Sequence, residues 1–138
     1  MKRVLIVCRG NSCRSIMAEA IINSYLSING VEAFSCGSNI KERINPHTQQ
    51  LLEERGVYNR EVYYPKGCEE FKDVEFDLVV TVCDSAKEEC SISSFKTKES
   101  IHMGFEDPDG KDYREFEKSF FDIRERLLPK VEEILQYK

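Results

Sequence analysis

Val4-Leu5-Ile6-Val7-Cys8-Arg9-Gly10-Asn11-Ser12-Cys13-Arg14-Ser15 decides the reading of this chain. Val4 to Val7 is a continuous apolar, β-branched run of the length of a strand buried on both faces. From Ser15 to Ile28 the apolar residues Ile16, Met17, Ala20, Ile21, Tyr25 and Ile28 recur at helical spacing, and Gly30 stops the run. Residues 8–15 therefore form a tight turn from a strand into a helix. Such a turn aims backbone N–H groups at one point, and the helix dipole adds positive potential there. Gly10 permits positive φ, and Asn11 tolerates it and can tie the loop back onto itself. Arg14 can grip a tetrahedral oxyanion through two parallel hydrogen bonds. The same field should lower the pKa of Cys8, and Ser15 can donate a hydrogen bond to its sulfur. A thiolate facing a bound oxyanion is an activated nucleophile. Arg9, Gly10, Asn11, Ser12, Cys13 and Arg14 are the candidate substrate-binding residues.

Outward from this loop, short apolar runs alternate with helical patterns. Ala33–Cys36 reads as a second strand, Leu78–Val82 as a third and Ser100–Met103 as a fourth. Asn45-Pro46 starts a helix that runs to about Arg55, with Asn as N-cap and Pro at its first position. From Tyr113 onward, Phe116, Phe120, Ile123, Leu127, Val131 and Ile134 share one helical face, and Pro129 is expected to kink or split that helix. The alternation predicts an α/β fold, a four-stranded parallel sheet with helices on both faces. With no repeat, low-complexity tract or linker, residues 1–138 read as a single domain.

Composition narrows the function. The 138 residues are 41% hydrophobic and 33% charged, ordinary for a globular protein. Twenty Lys and Arg against twenty-five Asp and Glu give a net charge of −5, a poor match to nucleic acid. No apolar run approaches the ~20 residues of a membrane span, and no signal peptide is evident. A monomeric, cytoplasmic protein is expected. Its six cysteines are many for that compartment, where structural disulfides are rare, leaving metal binding, redox chemistry or inert burial. No C-x-x-C pair exists, the two histidines offer no zinc spacing, and no metal or other cofactor is expected.

The loop motif C-x5-R-S resembles that of the low-molecular-weight protein tyrosine phosphatase superfamily, and within it the chain looks most like the thioredoxin-coupled arsenate reductases. Met17-Ala18-Glu19, Ser35-Cys36-Gly37, Leu78 to Cys83 and Gly104-Phe105-Glu106-Asp107-Pro108 extend the likeness over nearly the whole chain. The resemblance implies that Cys8 attacks the central atom of the oxyanion and that Asp107 is the general acid. It implies a relay in which Cys83, then Cys90, forms a disulfide recycled by thioredoxin, with arsenate as substrate and phosphate or sulfate as analogues. The alternative is a phosphatase working through a Cys8 phosphocysteine. Asp109, Gly110, Lys111 and Asp112 after Asp107-Pro108 offer no ring to stack on an aryl phosphate, and two carboxylates would repel a phosphopeptide. Within this reading Cys13 is packing or a protective partner of Cys8, and Cys36 and Cys68 are incidental. Relatives that bind potassium do so through groups matching Asn11, Glu19 and Ser35. Here Lys66 falls near the place of a further aspartate ligand, so its ammonium is expected to replace the ion and pair with Glu19.

Overall fold

The computed structural model describes residues 1–83 and 95–135. Strands β1 (Lys2–Cys8), β2 (Val31–Gly37), β3 (Glu75–Thr81) and β4 (Lys96–His102) form one parallel sheet in the order β2-β1-β3-β4. The two central strands carry the unbroken apolar runs, as burial on both faces requires: Val4, Leu5, Ile6 and Val7 beside Leu78, Val79 and Val80 are at most 1% exposed. β4 is an edge strand and reads as one, with Lys96, Lys98 and Glu99 exposed along it.

Helices α1 (Arg14–Leu26), α2 (Pro46–Glu54) and α3 (Tyr113–Leu135) build the larger core, which joins Val4, Ile6, Leu78 and Val80 of the sheet to Ile16, Ile21, Leu52, Phe116, Ile123 and Leu127. α1 lies between the sheet and α3 and is buried from Arg14 through Ile22. It ends at Leu26, earlier than Ile28, so Tyr25 and Ile28 are exposed and Ile22 and Leu26 take the inward positions. Asn45 caps α2 as expected, its Oδ1 accepting from the His47 amide at 2.9 Å with Pro46 at the first turn. α3 is not split at Pro129; it runs on as one helix. Pro129 lies on the exposed side, where water can satisfy the carbonyl that loses its donor, while Leu127 and Val131 anchor the chain on either side.

The second face of the sheet carries a smaller cluster: Leu5, Val7, Cys36, Phe71, Phe76, Val79 and Phe95. Among the described residues its cover is a 3₁₀ helix, Cys68–Phe71, with Phe34 and Val74. No helix among the described residues is long and apolar enough to cross a membrane.

Candidate active site

The parallel register brings the C-terminal ends of β1 and β3 to one edge, since Val7 pairs with Thr81. Cys8 ends β1, and the loop 9–13 follows it into α1. Segment 38–45 wraps the outside of this loop. The amides of Ser38, Asn39, Lys41 and Asn45 donate to the carbonyls of Cys8, Arg9, Gly10 and Ser12 at 2.8–3.1 Å. In a trans peptide the N–H opposes the C=O. The amides of Arg9, Gly10, Asn11 and Cys13 therefore turn to the loop interior, which makes the loop an anion cradle at a helix N-terminus.

Asn11 holds the strained point. Its φ is 51°, the one positive value outside glycine among the described residues. Its Nδ2 donates to Ser15 Oγ at 2.7 Å and Ser35 Oγ at 2.9 Å, and its Oδ1 accepts from the Lys66 amide at 2.7 Å. Gly10 does not use the positive φ open to it; Asn11 does. The role of Gly10 is steric: a Cβ there would stand 3.1 Å from Lys41 Cγ. Gly37 is more tightly constrained, since a Cβ would sit 2.6 Å from the Arg9 carbonyl oxygen and 3.0 Å from Asn11 Cβ.

Cys8 and Arg14 are 3% and 4% exposed at the base of a cavity of about 450 Å³. Arg14 is aimed by Nη1 donating to the Phe105 carbonyl at 3.1 Å and lies 3.5 Å from Asp107 Oδ2 through Nη2. Asp107 is itself set by an Asx turn over Pro108, its Oδ1 accepting from the Asp109 amide at 3.0 Å. Asn39, Ile40, Lys41 and Asp109 complete the cavity wall. Among the described residues, no aromatic ring lines it. Asp109 pairs with Lys41 at 3.9 Å and accepts from Asn45 Nδ2 at 3.1 Å. Lys41 and Asn45 could not be found by motif as site residues, because they reach the mouth from another loop, Asn45 reading in the sequence only as a helix N-cap.

Cys13 is buried inside the loop, and burial pushes its thiol up to about 12, so it stays protonated beside Ser12. Behind the loop, Lys66 Nζ donates to the carbonyls of Val62 at 2.8 Å and Tyr64 at 2.9 Å and stands 3.9 Å from Glu19 Oε1. The Ser35 hydroxyl donates to the same Glu19 oxygen at 2.5 Å. Burial pushes Glu19 up to about 7 against the pull of Lys66 and Ser35, and burial also lowers Lys66. The structure thus forms the expected Lys66–Glu19 pair.

The structure corrects the reading of two cysteines as incidental: Cys36 and Cys68 form a disulfide, with Cα atoms 5.0 Å apart. They lie 32 residues apart in sequence, and only the packing of the 3₁₀ helix onto β2 brings them together. Cys83 is buried just beyond β3 and is disulfide-bonded, whereas Cys8 and Cys13 carry no disulfide. Cys90 lies outside the described residues.

Residues 3–137 match the low molecular weight phosphotyrosine protein phosphatase family. An arsenate reductase of Brevibacillus brevis is 32% identical over 133 residues, covering 91% of each chain. The crystal structure of an arsenate reductase from Archaeoglobus fulgidus is similar with a TM-score of 0.78 and 31% identity, over 93% of this chain and 98% of that one. An arsenate reductase in the phosphate-binding state gives a TM-score of 0.80 at 26% identity, over 97% and 99% of the two chains. With the sheet order and the match over residues 3–137 in agreement, this chain belongs to the low molecular weight phosphotyrosine protein phosphatase family.

Proposed function

We propose that the chain reduces arsenate to arsenite through Cys8, Cys83 and Cys90, with a dithiol protein of the thioredoxin class as electron donor. The observation that carries the reading is the anion cradle around Cys8 and Arg14 beside the buried Cys83 of the neighbouring strand end. The ring-free cavity wall favours a small inorganic oxyanion over an aryl phosphate. The 32% identity to an arsenate reductase supports the same choice.

The reaction starts with all three thiols reduced. The inward amides, the helix N-terminus and Arg14 favour the Cys8 thiolate. Arsenate displaces Asp107 from Arg14, which turns its fork to two oxyanion oxygens. Cys8 attacks arsenic, the S–As bond forms, and one oxygen leaves as water with a proton from Asp107. The Cys83 thiolate then attacks the Cys8 sulfur. The S–As electron pair departs with arsenic, which falls from As(V) to As(III) and leaves as arsenite. Cys90 attacks the Cys83 sulfur and releases Cys8, and the donor dithiol returns two electrons to the Cys83–Cys90 disulfide.

Arsenate turnover with reduced thioredoxin, run beside phosphotyrosine hydrolysis, tests this reading. Cys90→Ser should keep phosphate binding, lose multiple turnover and accumulate a Cys8–Cys83 disulfide after one cycle, seen by non-reducing peptide mapping. Sustained turnover by that variant would favour the phosphatase reading.

A further inference from the structure

The Cys36–Cys68 disulfide takes no part in the relay, yet it lies two residues from the network that shapes the nucleophile loop. Cys36 is the penultimate residue of β2, and Cys68 opens the 3₁₀ helix. Between the bond and the loop, Gly37 donates its amide to the Lys66 carbonyl at 2.8 Å and pairs with Gly67 as an isolated parallel bridge. The Lys66 amide in turn donates to Asn11 Oδ1, and Asn11 holds Ser15 and Ser35. The disulfide therefore fastens to β2 the short segment whose backbone fixes the loop's one left-handed non-glycine residue.

We propose that Cys36–Cys68 is a second thiol–disulfide exchange site, open to small thiols, whose oxidation state sets the oxyanion affinity of the Cys8 loop through Gly67, Lys66 and Asn11. The proposal rests on the reading of that loop as the oxyanion site.

The chemistry has a direction. Cys36 is 0% exposed whereas Cys68 is half-buried, so an incoming thiolate reaches the Cys68 sulfur first. That attack leaves a mixed disulfide on Cys68 and releases Cys36 as a thiolate, which takes up a proton. A second thiol removes the adduct, freeing the Cys68 thiol. In all, two electrons and two protons enter, and two small thiols leave as their disulfide. A low-molecular-weight disulfide runs the same steps in reverse. With the bond cut, segment 62–68 is held to β2 chiefly by backbone contacts, because Tyr63 is its one buried apolar residue. Asn11 Oδ1 then loses the fixed Lys66 amide donor that helps offset its positive φ, and the cradle spends less time preformed.

The full-length protein, poised in glutathione buffers of graded ratio, tests this with inorganic phosphate as probe. Peptide mapping gives the fraction of Cys36–Cys68 bond, and calorimetry gives the phosphate Kd. The Kd should weaken about five- to tenfold as the bond is lost, in the range of ordinary site-to-site coupling. Cys68→Ala, never reduced, should show the same weakened Kd, and Cys36→Ala should reproduce it. An unchanged Kd in the reduced protein and in both variants, with only the melting temperature falling, would overturn the proposal and leave a simple staple. A bond that survives every glutathione ratio would also overturn it. If phosphate neither binds the oxidised wild type nor protects Cys8 from alkylation, the oxyanion reading itself fails, and the coupling with it.

Discussion

Gly37 occupies a position that no side chain can share, because its Cβ would meet the Arg9 carbonyl oxygen at 2.6 Å. That oxygen is backbone and is already held by the Asn39 amide at 2.8 Å, so it cannot swing away. Gly37→Ala should displace the loop, cost about 1–3 kcal/mol of stability as an overpacked site, and weaken phosphate binding more than it lowers the melting temperature. Thermal melts and calorimetry on the same preparation compare the two effects. Arg14→Lys should lower arsenate turnover by about 10²-fold or more, since an ammonium offers no fork and cannot keep both the Phe105 carbonyl and an oxyanion. Retention of wild-type kcat/KM would remove Arg14 from the site. At this scale the sequence showed much: Cys8, Asn11, Arg14 and Ser15 stand where the strand-to-helix reading put them. It did not separate Gly10 from Asn11 as the residue that takes the left-handed backbone, because both permit it.

Among the elements, α2 links fold and site through its cap. Asn45 accepts from His47 with its Oδ1 and donates to Asp109 with its Nδ2. Asn45→Ala should therefore cost about 1 kcal/mol as a lost N-cap, measured by denaturant unfolding. It should also loosen the mouth, seen as faster alkylation of Cys8 by a bulky reagent. An unchanged alkylation rate would show that Asp109 does not restrict entry. The strands were legible because the runs Val4–Val7 and Leu78–Val82 can only be buried. β4 was harder to place, because Lys96-Thr97-Lys98-Glu99 carries no apolar side chain, so the sequence marks the strand only from Ser100 onward although it begins at Lys96. Pro129 does not split α3, because what a proline removes inside a helix is one donor to a carbonyl. On the wet side of a well-anchored helix the carbonyl finds water.

Over the whole molecule, the buried Glu19–Lys66 pair is a pH-dependent cost. Glu19 is raised from 4.5 to about 7 in the folded protein, so the native state binds its proton more tightly than the unfolded chain does. The stability this contributes is fully present below pH ~4.5 and is lost as pH rises through about 7, a fall on the order of 3 kcal/mol. Glu19→Gln should remove that portion of the slope between pH 4.5 and 7, whatever its effect on absolute stability. A wild-type slope that persists in the variant would assign the pH dependence to other groups. Lys66 Nζ already occupies the space between Glu19 and the carbonyls of Val62 and Tyr64. Exchanging sodium for potassium at constant ionic strength should therefore leave the melting temperature unchanged, and a potassium-specific rise would refute the substitution of ammonium for ion.

By itself the sequence determined the sheet, its helices and the strand-to-helix loop after Cys8, since each follows from a local period or a contiguous motif that physical chemistry permits in few arrangements. Only the tertiary structure decided the rest. The carbonyls of the loop are turned outward by segment 38–45, which no motif marks. Lys41 and Asn45 of that segment meet Asp109 of another loop at the mouth. Cys36 and Cys68, apparently unrelated thiols 32 residues apart, are joined because the 3₁₀ helix packs onto the thinner face of the sheet. Such pairings depend on where segments distant in sequence come to rest, and burial and chain geometry fix that jointly for the whole molecule rather than for any stretch of it.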